Sequence, residues 1–222
     1  FPESVRRKWR SIMLAIAITL TASLTAFLLV AHDPVWSGRL VQGGFQEVLE
    51  QWKRGKQYTP GDLSHAPGMS MFYFMNNSRV ALLSFGLGIF AGIPTVYLLW
   101  TNGMILGVFA AELARVGKLG LFLVSIYPHG VPELGAIFFC AGAGLLVGRA
   151  VIMPGDFSRI EAVRRVGQDV FYLVAGSVVL ILIAGLVEAF FSFYAFPNWM
   201  KFAWGTLSLG VLLTYILLVR RR

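Results

Sequence analysis

Thirty-two consecutive residues, Val80 to Ala111, carry no charge, and that run fixes the solvent in which the chain folds. About 20 apolar residues suffice to cross the hydrocarbon of a bilayer as a helix. Ser11 to Ala31, Val170 to Val187 and Phe202 to Val219 are uncharged over 21, 18 and 18 residues, so four spans follow directly. Hydrophobic residues make up 57% of the 222 and charged ones only 14%, with a mean hydropathy of +0.70; a soluble domain of this length is excluded. The expected fold is all-α, a polytopic membrane helix bundle of five or six transmembrane helices. It forms a single integral membrane domain over 1–222, with a first span at 11–31, an extracytoplasmic segment at 32–77 and the remaining bundle at 78–219.

The segment 103–128 is apolar at both ends but holds Glu112, Arg115 and Lys118 near its middle, so it reads as broken or re-entrant, with Gly117 and Gly120 marking a buried break. Irregular backbone at membrane depth is tolerated only where protein or water covers it. Residues 130–152 supply a further crossing. Arg6, Arg7, Lys8 and Arg10 precede the first span, Arg149, Arg159, Arg164 and Arg165 surround the Pro154 loop, and Arg220 to Arg222 end the sequence. The bias of lysine and arginine toward cytoplasmic segments places these three regions, and both termini, on the cytoplasmic side of a multi-pass protein. The sequence starts at Phe1 rather than methionine, as a fragment or a processed product would. Leu29-Val30-Ala31 lacks the paired small residues of a signal-peptidase site, so 11–31 is read as a retained anchor.

The formal charge of +8 is accounted for by these flanks rather than by a basic face for nucleic acid, and no nucleic-acid partner is expected. Cys140 is the single cysteine, which excludes an intrachain disulfide and a multi-cysteine metal cluster. Around 38–54, Val41, Phe45, Val48, Leu49 and Trp52 recur at three- or four-residue spacing, which predicts an amphipathic helix. It lies on the membrane surface, or packs on a partner or a second copy of the chain; Trp36 and Trp52 favour headgroup depth.

Asn76-Asn77-Ser78-Arg79 precedes the longest apolar run. Asn77 or Ser78 can cap the new helix while Arg79 snorkels; alternatively the two carboxamides and the arginine bind a headgroup or a partner's backbone. Gly88 and Gly92, Gly103 and Gly107, and Gly144 and Gly148 each place two small residues one turn apart, the spacing that permits close helix packing. Asn102-Gly103 reads as the tight turn after the second span.

The candidate site is His129-Gly-Val-Pro-Glu133. A lone charge at the bilayer centre costs roughly 2.5–3.5 kcal/mol on insertion scales, so ionisable residues there are paired, hydrated or functional. Pro132 suits the first turn of a helix, which puts His129 at or before its start. Glu133 is read either as a structural lock, bonded to His129, Asn102 or Arg115, or with Glu188 as the lining of a path for a proton, an ion or a lipid headgroup. A metal site needs a third ligand, for which His32, His65, Glu112 or Glu188 would have to converge on His129. Ser125, four residues before His129, stands in no strained nucleophile turn. No catalytic residue, metal or cofactor is assigned.

Phe1-Pro2-x3-Arg6, Asn76-Asn77-x-Arg79-Val80-Ala81, Asn102-Gly103-x3-Gly107, Pro128-His129-Gly130-x2-Glu133-x2-Ala136-Ile137, Gly142-x-Gly144-x3-Gly148, Pro154-Gly155 and Ala184-Gly185-x2-Glu188 occur in that order. Together they resemble the stage II sporulation protein M family, over Phe1 to about Lys201. The resemblance implies an integral protein of the bacterial or archaeal cytoplasmic membrane. It implies a non-enzymatic component of a multiprotein cell-envelope assembly, similar to the sporulation engulfment protein that localises two peptidoglycan-degrading partners. Relatives in organisms that do not sporulate tend to lie near genes for MoxR-type ATPases. The partners expected are the lipid bilayer, other membrane or envelope proteins, a second copy in a homodimer and a separate ATPase. The alternative function is a transporter or lipid-handling permease with its polar site at His129 and Glu133; the chain has no nucleotide-binding P-loop.

Overall fold

A computed structural model describes residues 1–55 and 66–219, with side chains described outside 66–73. Lys56, Asp62, His65 and Arg220 to Arg222 lie outside the described residues. The elements among the described residues are all helical. A short α1 (Pro2–Arg7) leads into α2 (Trp9–His32), followed by α3 (Val35–Leu40) and α4 (Gly44–Arg54). The long helices α5 (Ala66–Gly86), α6 (Ile93–Arg115), α7 (Leu119–Ile152), α8 (Arg159–Val187) and α9 (Asn198–Leu218) complete it. Among the described residues five helices, α2, α6, α7, α8 and α9, are long and apolar enough to cross a membrane. The chain is a multi-pass membrane protein. α5 packs beside α6, α7 and α8 within the same bundle.

The expected span Val80–Ala111 is two helices, not one. Gly86, Gly88, Gly92 and Pro94 fall within nine residues, and the chain answers with a 3-10 turn at Leu87–Ile89 and left-handed backbone at Ala91 and Gly92. Pro94 sits in the first turn of α6, where its missing N–H costs nothing. The turn expected at Asn102-Gly103 is absent: both residues lie inside α6, and Asn102 Nδ2 donates to the Leu98 carbonyl at 2.8 Å. The Asn77 or Ser78 cap is overturned for the same reason, because α5 starts upstream at Ala66 and both residues are helix-interior.

The 103–128 segment is broken at Val116-Gly117-Lys118, where Gly117 takes a left-handed φ of 69°. That break is an exposed turn rather than a buried one. From Leu119 the chain continues as one 34-residue helix, so 130–152 is not a separate crossing and His129 is mid-helix rather than at a helix start. At a rise of 1.5 Å per residue α7 is about 51 Å long, well beyond the roughly 30 Å of hydrocarbon. It is the axle of the bundle, buried along most of its length and packed on α2, α5, α6, α8 and α9.

Glycine lets the backbones meet. Gly88 abuts the backbone of Gly144, and a Cβ on Gly148 would stand 2.7 Å from Gly92 Cα. On the opposite flank, a Cβ on Gly103 would reach Ala22 Cβ at 2.9 Å, and one on Gly107 would reach Ala26 Cβ at 3.0 Å. The three glycine pairs thus meet at two seams, α7 against the α5–α6 turn and α6 against α2.

Two ends are defined by polar contacts. At one, Asp169 accepts from Ser4 at 2.9 Å and pairs with Arg7 and Lys8, while Arg6 donates to the carbonyls of Ile216 and Val219, closing the last turn of α9. At the other, Lys53 of α4 bridges Glu50 and Glu112, each at 3.0 Å, and Arg115 pairs with Glu112 at 3.3 Å. Burial acts to lower the Lys53 pKa, but the Glu50 and Glu112 carboxylates outweigh it and hold the amine above its ordinary value. The amphipathic helix is narrower than expected, 44–54, and it folds onto its own bundle. Trp52 packs against protein: it is buried with Phe122 and Phe193, ring centroids 5.1 and 6.0 Å away.

Candidate functional site

Asn76, Asn77, Asn102, His129 and Glu133, all singled out from the sequence, converge beneath α4, where α5, α6 and α7 meet. Asn77 Nδ2 donates to Glu133 Oε1 at 2.7 Å, and Asn76 Nδ2 donates to Asn77 Oδ1 at 3.1 Å. His129 Nε2 stands 3.9 Å from Glu133 Oε2, one helical turn away on the same face of α7. Pro128 and Pro132 both lie inside this stretch. Each lacks the N–H that would bond four residues back, so the carbonyls of Val124 and Pro128 lose their usual helical donors here.

A cavity of about 120 Å³ opens against this cluster, room for several water molecules. Thr19, Asn76, Asn77, Asn102, His129 and Glu133 give it polar walls, and Phe45, Trp52, Phe122 and Phe193 roof it. Phe193 touches both sides of that roof, its ring 5.6 Å from the His129 ring and 6.0 Å from Trp52. His129 and Glu133 are only 4% and 8% exposed, so the polar wall of the cavity lies inside the bundle.

Of the other expected residues, Glu188 is buried in the π-helical turn Glu188–Ser192 that ends α8. It lies within electrostatic reach of Glu133, yet its carboxylate oxygens have no hydrogen-bond partner among the described residues and it does not line the cavity. Arg79 is exposed on α5, away from the cluster. Arg115 is spent on Glu112 at the α4 end, and Asn102 lines the cavity without bonding Glu133. Among the described residues no three His, Cys, Asp or Glu side chains converge as a metal would require; His32 ends α2, exposed.

One member went unforeseen. Lys201 of α9 is fully buried, its Nζ 3.5 Å from Ser125 Oγ on α7 and within electrostatic reach of His129. Placed just before the uncharged run of the last span, it has the sequence signature of an ordinary flanking lysine. The only local hint is Pro197 four residues earlier, which starts α9 early enough to bring Lys201 inside the bundle. Ser125 is likewise fully buried and off the cavity.

Fold and site together define a multi-pass, all-helical membrane protein with a buried polar joint between its central helices. The family model described as Stage II sporulation protein M matches residues 12–193, and the chain belongs to that family. No curated protein and no solved structure matches it.

Proposed function

We propose that this protein is a non-enzymatic, membrane-embedded component of a multiprotein cell-envelope assembly in the cytoplasmic membrane, holding partners in place rather than transforming a substrate. The observation that carries this reading is the direction of the buried polar bonds. Asn77 to Glu133 joins α5 to α7, and Lys201 to Ser125 joins α9 to α7; each links two helices instead of aiming at a shared reacting position. Polar bonds of that kind fix helix register in a bundle. Envelope enzymes of the peptidoglycan-degrading type, a second copy of the chain and a separate ATPase are the partners proposed.

Blue-native electrophoresis of gently solubilised membranes tests the reading. The chain should migrate in a complex far above its own 24.5 kDa, and Glu133→Gln should weaken that complex with membrane insertion unchanged. A chain that migrates alone overturns it. The permease reading rests on the cavity at His129 and Glu133 and expects the opposite signature for Glu133→Gln, an intact complex with lost flux in proteoliposomes.

A further inference from the structure

At the end of the bundle that carries the N terminus, a groove runs down between α2, α6 and α7. Arg10 in the first turn of α2 and Arg149 in the last turn of α7 stand at its mouth, where α6 begins. Both guanidinium groups are exposed, and neither has a carboxylate partner among the described residues. Their neighbours differ: Arg7 and Lys8 are held by Asp169, and Arg6 by carbonyls of α9. α6 starts in this groove with no side-chain cap and no acidic residue in its first turn, so the positive end of its dipole adds to the two guanidiniums.

Below the charges the walls turn apolar. Leu14, Val96, Trp100 and Leu145 lie about one to two helical turns deeper along their helices and line a space of about 670 Å³. Positive charge at the helix ends above apolar walls, with the Trp100 indole the deepest of them along α6, reproduces the order of an anionic phospholipid from head to tail. We infer that this groove seats one anionic phospholipid, its phosphate between Arg10 and Arg149 and an acyl chain along Leu14, Val96 and Leu145. Charge complementarity selects the occupant: a zwitterionic lipid carries its own cation and gains less from two arginines, and a protein helix would leave both guanidiniums unanswered unless it brought acids.

The test is lipid retention by native mass spectrometry, on protein purified in mild detergent and loaded with a mixture of phosphatidylcholine and phosphatidylglycerol. Wild-type protein should retain one phosphatidylglycerol in preference to phosphatidylcholine. Each basic side chain near an anionic surface strengthens attraction about fivefold, so Arg10→Gln with Arg149→Gln should weaken retention about 25-fold. Arg159→Gln with Arg164→Gln removes two exposed arginines that do not border the groove and should leave retention unchanged. Val96→Trp fills the groove while sparing both arginines and should also release the lipid, which guards against misfolding of the double variant. Equal retention of the two lipids by wild type, or equal loss in both arginine pairs, overturns the inference. So does full displacement by inorganic phosphate with Val96→Trp silent, since the site would then take a free anion.

Discussion

Asn77 donates its side-chain amide to Glu133 at 2.7 Å across the interface of α5 and α7, between residues 56 apart in sequence. Neither residue can satisfy the other locally, so the bond exists only when the two helices are in register. Removing one partner of a buried hydrogen bond leaves the other to bear its desolvation cost, about 1–3 kcal/mol and more for a charged group. Asn77→Leu should therefore destabilise the bundle by about 2 kcal/mol, and Glu133→Gln, which keeps an acceptor for Asn77, by about half as much. Unfolding by titration with a denaturing detergent orders the three proteins; a Gln variant less stable than the Leu variant would contradict the lock.

The glycine seams make a sharper distinction. Gly144 faces the Ser84 carbonyl and Thr95 Oγ1, the latter 3.0 Å from where a Cβ would stand, whereas Gly120 in the first turn of α7 has open space around it. Overpacking a tight seam costs about 1–3 kcal/mol, while Gly to Ala in an open helical position gains up to about 1 kcal/mol. Gly144→Ala should lower the thermal midpoint and Gly120→Ala should hold or raise it. A shared direction in differential scanning fluorimetry would refute the close approach of α7 to α5.

Lys53 gives the docking of α4 a pH dependence of known sign. Its amine is held above 10.5 because the carboxylates of Glu50 and Glu112 outweigh the effect of burial. A raised pKa means the contribution is complete below the ordinary lysine value and is lost as pH rises through the higher folded value. Tryptophan emission should stay constant through neutral pH and shift red only above about pH 10.5, as Trp52 leaves its pocket. Lys53→Met should abolish that alkaline step; a step near neutrality would assign the docking to another group.

The helical class and the membrane environment were legible because charge-free runs report on solvent, and α4 was legible because its apolar residues keep a helical period over eleven residues. Connectivity was harder, since competing local signals had to be ranked. Asn102-Gly103 is a turn dipeptide, yet Gly103 is needed for contact with α2, and the real turn lies where three glycines and a proline crowd together. The site was half legible. His129 and Glu133 announce themselves as charges in apolar surroundings, while the partner of Glu133 is set by a tertiary contact with Asn77. Lys201 stayed hidden because a lysine beside a span has the same sequence pattern whether it faces water or the bundle interior.

Trp52 connects the outer helix to the site, and its removal tests whether α4 is part of the fold or an appendage. The indole is 5% exposed, set edge-on against Phe122 and tilted against Phe193, which itself rests on His129. Truncating a buried tryptophan to alanine costs about 3–5 kcal/mol when the surroundings cannot collapse. Because α4 is held by this side chain together with Val48, Leu49, Phe45 and one ion pair to α6, losing the largest of its buried side chains should detach the helix before the bundle unfolds. Hydrogen exchange in Trp52→Ala should accelerate across 44–54 and spare α7 around His129. Exchange that rises equally in α4 and α7 would instead make the outer helix an integral part of the core.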